Sequence, residues 1–375
     1  MIDLGAPESR YARQELITWW DQDRLRAARV LVVGAGALGN ELVKDLALLG
    51  VGRVEVIDLD LVERSNLARG VLFRESDEGA PKATVVAGAA AALNPEITVV
   101  GHVGDVTARG LGWFGTFDLV LGGLDNREAR VFVNQACRKL GIPWVDGAIE
   151  GLRGVARTFL PEGPCYECTL SEVDREILSR RRSCALLTTE EMAGGKVPTT
   201  ATTASLVAAV QAQEAVRLLH GEAGLAGEGW TFVGETLDSW RTTYSEDPLC
   251  PAHDRYAPLV AAEVGADTTL ADLVAASPVD AADLVAVDLE GDLVLAVSCP
   301  TCGWRRDVAR RAVDLTPADV TCPTCEQVGA LETTTALAPD DPVVHRSVVE
   351  LGLPDLDVVT LRTAVDRTHL RLEQP

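Results

Sequence analysis

The sequence lacks any apolar run close to the roughly 18 residues a membrane-spanning helix needs, which argues against a membrane protein. Its N-terminal stretch, MIDLGAPESRYARQ, lacks the basic start and apolar core of a secretory signal. A cytoplasmic location is therefore expected. Basic residues are scarce: 34 Lys and Arg stand against 56 Asp and Glu, a net charge of −22 over 375 residues. Such a field repels phosphates, so binding to nucleic acid or to an anionic membrane is disfavoured. Any phosphate ligand must be held by a local pocket. There is no internal repeat and no low-complexity tract. In a reducing compartment, the nine cysteines are better read as metal ligands or nucleophiles than as disulfides.

Short apolar runs alternate with helical patterns through the first half. RVLVVG (29–34), RVEVID (53–58), ITVVGHV (97–103), FDLVLGGL (117–124) and IPWVDGAI (142–149) read as strands. Helices are expected at 37–50, ended by Gly50; at 81–95, opened by Pro81; and at 126–141. This rhythm predicts an α/β fold, a Rossmann-like doubly wound sheet with its ligand at the carboxyl ends of the strands. A long helix follows at 203–221, then a short β ribbon around GWTFVGETLDSW. The Pro-marked stretch 247–258 closes the first domain, taken as 1–257, and a smaller domain fills 258–375.

The loop VVGAGALGNE carries Gly34, Gly36 and Gly39 in G-x-G-x-x-G spacing between an expected strand and helix. Glycines there let backbone N–H groups approach a phosphate at the positive end of the helix. Asp58 ends the next strand and suits ribose hydroxyls. Taken alone, the loop fits a dinucleotide dehydrogenase equally well. The residues that follow decide against that. Asp58 and Asp60 stand two apart, Asn66, Arg69 and Lys82 come next, and GLDNREAR adds Asp125, Asn126 and Arg130. Carboxylates with several cations around one Gly-rich loop suit ATP with Mg²⁺. Hydride transfer needs no such cluster.

This series, with Arg13 ahead of it, resembles the adenylation domain shared by ubiquitin-activating enzymes and the bacterial ThiF, MoeB and HesA sulfur-carrier activators. The likeness runs over about residues 8–255, in the family's order and spacing. It implies that Asp58 binds the ribose, that Asn66, Arg69 and Lys82 contact the phosphates, and that Asp125 engages Mg²⁺. Arg13 would reach into the partner subunit's site, which implies a homodimer. The implied reaction is adenylation of the C-terminal Gly-Gly tail of a ubiquitin-like or sulfur-carrier protein. One departure is Gly70, where the family often has Gln.

The cysteines fall into groups. Cys299 and Cys302, then Cys322 and Cys325, have zinc-ribbon spacing. Cys165 and Cys168 form a C-x-x-C knuckle. The family resemblance pairs this knuckle with a second half-site, here Cys250 and His253, for a second structural zinc. Around the ribbon (about 297–328), the segments TLADLV and SVVELGLPDLDVVTLRT resemble the ubiquitin-fold domain of the NEDD8-activating enzyme's catalytic subunit. That resemblance implies an α+β domain that recruits a conjugating enzyme. Cys137 is expected in a helix core. Cys184 is left, behind Arg180, Arg181 and Arg182, in a crossover segment (about 176–200) with hinge-like glycines. Arginines beside a thiol favour the thiolate. The resemblance implies that Cys184 takes the activated carboxyl as a thioester. The alternatives are that it carries sulfur, in a sulfur-carrier adenylyltransferase, or does no chemistry. A further alternative for the whole chain is a scaffold that binds nucleotide without turnover.

Overall fold

The structure, a computed structural model, describes residues 9–174, 198–222 and 224–374. Cys184 and the three arginines before it lie outside the described residues. The chain divides into two compact units. One comprises the described residues up to Val106 together with Phe114–Asp254, and the other comprises Thr107–Trp113 and the chain from Arg255 onward. Among the described residues, no helix is long and apolar enough to cross a membrane.

The first unit is built on one eight-stranded sheet. Strands β1 (Arg29–Val33), β2 (Arg53–Asp58), β3 (Thr98–Val103), β4 (Leu119–Gly122) and β5 (Trp144–Glu150) are parallel, in the order β3-β2-β1-β4-β5. Strands β6 (Arg153–Phe159), β7 (Glu228–Val233) and β8 (Asp238–Thr243) extend it antiparallel. The chain moves outward from β1 to β2 and β3, then returns to the other side of β1 as β4. That reversal opens a crevice between the carboxyl ends of β1 and β4.

Helices α1 (Gln22–Ala27), α2 (Ala37–Leu49), α3 (Lys82–Leu93), α4 (Arg127–Leu140) and α5 (Ala201–Leu219) belong to this unit. Leu42, Leu46, Val86, Ala90, Val207 and Ala208 of α2, α3 and α5 bury against Val30, Val32, Val54, Val56, Leu119 and Leu121 of the sheet. Burial of each such leucine or valine contributes about 1.5–3 kcal/mol. Helix α2 stops where expected, at Gly50 with φ +77°. Helix α5 starts at Ala201, two residues before the expected 203. The Thr200 hydroxyl accepts the Thr203 N–H at 3.2 Å and so caps the helix earlier. Lys82 opens α3, with Pro81 as its cap residue. Strand β6 was not expected. Its four polar or glycine positions in RGVARTF hide the alternation, and pairing with β5 and β7 supplies what the pattern lacks.

The second unit has a six-stranded mixed sheet. Its strands are β9 (Leu259–Glu263), β10 (Leu284–Ser298), β11 (Arg305–Arg311), β12 (Ala330–Leu337), β13 (Val358–Thr363) and β14 (Arg367–Glu373). The path runs β11-β10-β13-β14-β9, with β12 also paired to β10, and only β14 and β9 are parallel. Helix α6 (Leu270–Ala276), capped by Thr269 and Asp272, buries Leu270 and Leu273 against Val287, Leu361 and Leu372.

Thr107–Trp113 enters this unit through glycine. A Cβ on Gly110 would lie 2.3 Å from the Asp355 carbonyl oxygen, so only glycine admits the approach. The Leu111 N–H donates to the Asp357 carboxylate at 3.3 Å. Burial raises the Asp357 carboxyl from 3.8 to about 6. A carboxyl raised on folding favours the protonated folded form, so its stabilisation is complete below about pH 4 and is lost as pH rises through 6. Stability should therefore fall by on the order of 2 kcal/mol between pH 4.5 and 7 on this account. Asp357→Asn should flatten that dependence in urea titrations at the two pH values.

Candidate active site and metal centres

The Gly-rich loop leaves β1 with its backbone pressed between neighbours. Gly34 has φ +97°, and a Cβ there would lie 2.5 Å from the Gly123 carbonyl oxygen at the end of β4. A Cβ on Gly39 would lie 1.8 Å from the Gly34 oxygen. Gly36 caps α2 without any side-chain hydrogen bond, and nothing lies within 4 Å of where its Cβ would stand. That open space lies at the positive end of a helix of 13 residues, a setting suited to a phosphate.

Asp58 ties this loop to its neighbour. Its carboxylate accepts the Ala35 N–H at 2.7 Å and the Asp60 N–H at 2.8 Å. Burial pushes its carboxyl above the usual range, against the pull of those two bonds. Asp60 in turn accepts from Lys82 Nζ at 2.7 Å; the lysine side chain is 11% exposed and the aspartate 54%. Asn66 is buried, its Oδ1 accepting the Glu63 N–H at 2.9 Å, and Arg69 donates to the Ser65 carbonyl at 3.1 Å. A Cβ on Gly70 would lie 2.3 Å from the Phe73 ring. The phenylalanine ring thus fills the space beside Gly70.

Asp125 and Asn126 are exposed at the end of β4, and Asn126 caps α4 by accepting the Ala129 N–H at 2.7 Å. Arg130 is buried. Its Nε donates to Asp146 at 2.9 Å, and its Nη2 to the Leu124 and Gly147 carbonyls at 2.5 and 3.2 Å. Arg13 is exposed ahead of α1, near Tyr11, whose hydroxyl accepts from buried Asn94 at 2.8 Å. Direct bonds therefore join the glycine loop, Asp58, Asp60 and Lys82, and the Gly34–Gly123 approach brings in the β4 end.

Three contributors escaped the sequence reading. Asn40, fully buried in α2, donates to the Ala35 and Gly36 carbonyls at 2.8 and 3.1 Å and accepts the Leu72 N–H at 2.9 Å. It stitches the glycine loop to the segment that carries Asn66 and Arg69. Asn in a helix interior is a poor helix former, which was the available signal. Gln211 and Asp146, discussed below, gave no local signal.

Two clusters can hold a metal. In each, the ligand atoms lie within 4.8 Å of one another: Cys165, Cys168, Cys250 and His253 in the first unit, and Cys299, Cys302, Cys322 and Cys325 in the second. A tetrahedral zinc with bonds of about 2.3 Å sets its sulfurs about 3.8 Å apart. The Sγ–Sγ separations are 3.8 Å for Cys165–Cys168 and 3.6 Å for Cys165–Cys250 in the first cluster, and 3.4 Å for Cys299–Cys325 and Cys302–Cys322 and 3.9 Å for Cys302–Cys325 in the second. His253 presents Nε2 3.2 Å from Cys168 Sγ, while its Nδ1 faces Glu246 at 3.3 Å, which fixes the ring. The Cys165 thiol is pulled down to about 4, chiefly by the Cys250 thiol bonded to it. With four protein ligands each, neither cluster leaves a coordination position for catalysis. Cys137 is buried, and burial pushes its thiol far up.

Zinc fits both donor sets, so the purified chain should carry about two ions, one per cluster. Cys322→Ser and Cys165→Ser should each lower the content to about one, as measured by elemental analysis. Cys137→Ser should not change it.

Three comparisons bear on this geometry. The ThiF family pattern matches residues 9–252. The chain is 37% identical to the SAMP-activating enzyme E1 of Haloferax volcanii over 246 residues, covering 61% of this chain and 82% of that protein. It is 34% identical to the sulfur carrier protein adenylyltransferase of Thermus thermophilus over 253 residues, 64% and 89% of the two. It is 41% identical to the NEDD8-activating enzyme E1 catalytic subunit of Arabidopsis thaliana over 156 residues, 38% of this chain but only 34% of that one. Among solved structures, E. coli MccB with ATP superposes with a TM-score of 0.55 at 23% identity, over 65% of this chain and 74% of that one, which speaks for the fold. With a family match over more than half its length, the chain belongs to the ThiF family, whose members are ATP-dependent adenylyltransferases and activating enzymes.

Proposed function

We propose that this chain adenylates the C-terminal glycine of a ubiquitin-like protein, takes it as a thioester on Cys184, and passes it to a conjugating enzyme. The observation that carries the adenylation step is the bonded set of the Gly34–Gly39 loop, Asp58, Asp60 and Lys82 at the sheet's switch point. It is supported by similarity to a SAMP-activating enzyme over most of that protein's length.

In this reading the glycine loop and the α2 terminus hold the phosphates, and Asp58 holds the ribose. Lys82, Arg69 and Asn66 lie toward the phosphate oxygens. Asp125 is the carboxylate for Mg²⁺, which would neutralise charge on the phosphates when bound. The substrate carboxylate attacks the α-phosphorus, and pyrophosphate leaves. A carboxylate is already a nucleophile, so the protein positions it and neutralises charge, with no general base. Arg13, exposed at the front of the chain, would serve the partner subunit's site in a homodimer. The Cys184 thiolate would then displace AMP from the acyl-adenylate. The cysteine inventory supports that choice. Seven others fall in the two four-ligand clusters, and Cys137 is buried in α4. The α+β make-up of the second unit, with α6 at the TLADLV segment, supports the ubiquitin-fold reading and a place to recruit the conjugating enzyme.

A second reading is a sulfur-carrier adenylyltransferase, favoured by the Thermus relative. Incubation with ATP, Mg²⁺ and Gly-Gly-tailed modifiers, followed by non-reducing gels, separates the two. The first reading expects a reducible adduct that Cys184→Ala abolishes while pyrophosphate exchange persists. Exchange without an adduct gives the second reading. Asp125→Ala should lower exchange by about 100-fold or more in either case. Wild-type ATP binding with no exchange on any carrier would leave a scaffold and sink both.

A further inference from the structure

Behind the β4–α4 loop lies a group of charges that nucleotide binding does not account for. Asp146, on β5, is wholly buried and held by two arginines. Arg130 Nε is 2.9 Å from its Oδ1, and Arg157 donates to its Oδ2 from Nε at 3.1 Å and again from Nη2. Arg157 comes from β6, stacks its guanidinium 5.0 Å over the Tyr166 ring, and is half-buried, its side chain 15% exposed. Burying two cations with one anion rarely stabilises a fold more than apolar residues of the same size would. The geometry of the cluster indicates what else it does.

Arg130 does not stop at Asp146. Its Nη2 reaches the Leu124 carbonyl, one residue before Asp125, and the Gly147 carbonyl, one residue after Asp146. One guanidinium thus bolts the middle of β5 to the loop that carries Asp125. Gln211 of α5 braces the strands beneath, its Nε2 donating to the Gly122 and Val145 carbonyls at 2.9 and 3.1 Å. Asn126 pins the same loop to α4 from the other side. The only side chain of this loop left exposed between those anchors and without a cap to make is Asp125.

We infer that Asp146 is a positioning residue: it orients Arg130 so that the Leu124–Asn126 loop holds Asp125 in place for a metal–nucleotide complex. This rests on the nucleotide reading above. It gives Arg130 the role of a strut, where the sequence pattern had suggested a phosphate contact. It also places a net positive charge behind the loop, in a chain whose overall charge is −22. Asp146 acts through Arg130 and touches no ligand itself.

The test is the affinity for ATP, measured calorimetrically with Mg²⁺ and again in EDTA, on the whole chain. Asp146→Asn keeps the shape and one acceptor. It should weaken binding of the magnesium complex by about 10- to 100-fold, the usual effect of losing an outer-sphere partner, and change metal-free ATP binding by only about 2-fold. In an Asp125→Ala background the same substitution should lose most of its effect, because the two act through one contact. Equal losses with and without Mg²⁺, or additive losses in the double variant, would mean a purely structural role and overturn the inference. If Asp146→Asn does not fold, as judged by circular dichroism, Arg130→Lys enters the same cycle, since lysine can pair with Asp146 but cannot span both carbonyls. Failure of the wild-type chain to bind ATP under either condition would overturn the nucleotide reading, and this inference with it.

Discussion

The crevice depends on one half-buried carboxylate. Asp58 accepts a backbone N–H from the glycine loop on one side and from the Asp60 turn on the other. Those two bonds join the glycine loop, whose Ala35 and Leu38 pack into the core, to the exposed turn at Asp60. From Asp60 the chain of contacts continues to Lys82, which opens α3. From the glycine loop it continues through Asn40 to Leu72. Three separate loops thus become one rigid rim. A buried carboxylate is costly unless its oxygens are satisfied. Here both are, and the energy of that satisfaction goes into loop geometry.

Charge is arranged on the same principle of local compensation. The chain as a whole is strongly acidic, yet Lys82, Arg69, Arg130 and Arg157 are each held by a carboxylate or a carbonyl. Lys82 is paired with Asp60 and Arg69 with a backbone oxygen, while Arg130 and Arg157 are turned to Asp146 behind the loop. Cations fixed in this way need little reorganisation when a phosphate arrives, and fixed dipoles at a partly dry site act more strongly than mobile ones in water. The low basic count is therefore no obstacle to binding an anion.

Much of this was legible in the sequence. The G-x-G-x-x-G spacing, the D-L-D pair and the C-x-x-C knuckles all lie within short windows, so local pattern is enough to find them. The ribbon cysteines, 20 residues apart at Cys302 and Cys322, do meet, at 3.4 Å. What stayed hidden depends on contacts between residues far apart in the chain. Strand β6 exists because β5 and β7 flank it, and Thr107–Trp113 joins the second unit through Gly110 and Asp357, contacts some 245 residues distant. Gly70 departs from the family pattern, and the Phe73 ring occupies the space a side chain there would need.

Arg130 shows where local pattern reaches its limit. In D-N-x-x-x-R the arginine stands four residues after the helix cap, so it lies on the same side of α4 as Asn126. From that position its guanidinium has two destinations, outward to a ligand or inward to the sheet. Spacing along α4 is the same for both. The choice is made by Asp146, sixteen residues on and in another strand, which offers a buried carboxylate to pair with. An exposed arginine at a phosphate needs no partner, whereas a buried one must have one. A carboxylate within the next parallel strand, paired with the last residue of β4, is therefore the sequence feature that separates the strut from the ligand, and it becomes readable only once β4 and β5 are known to be neighbours.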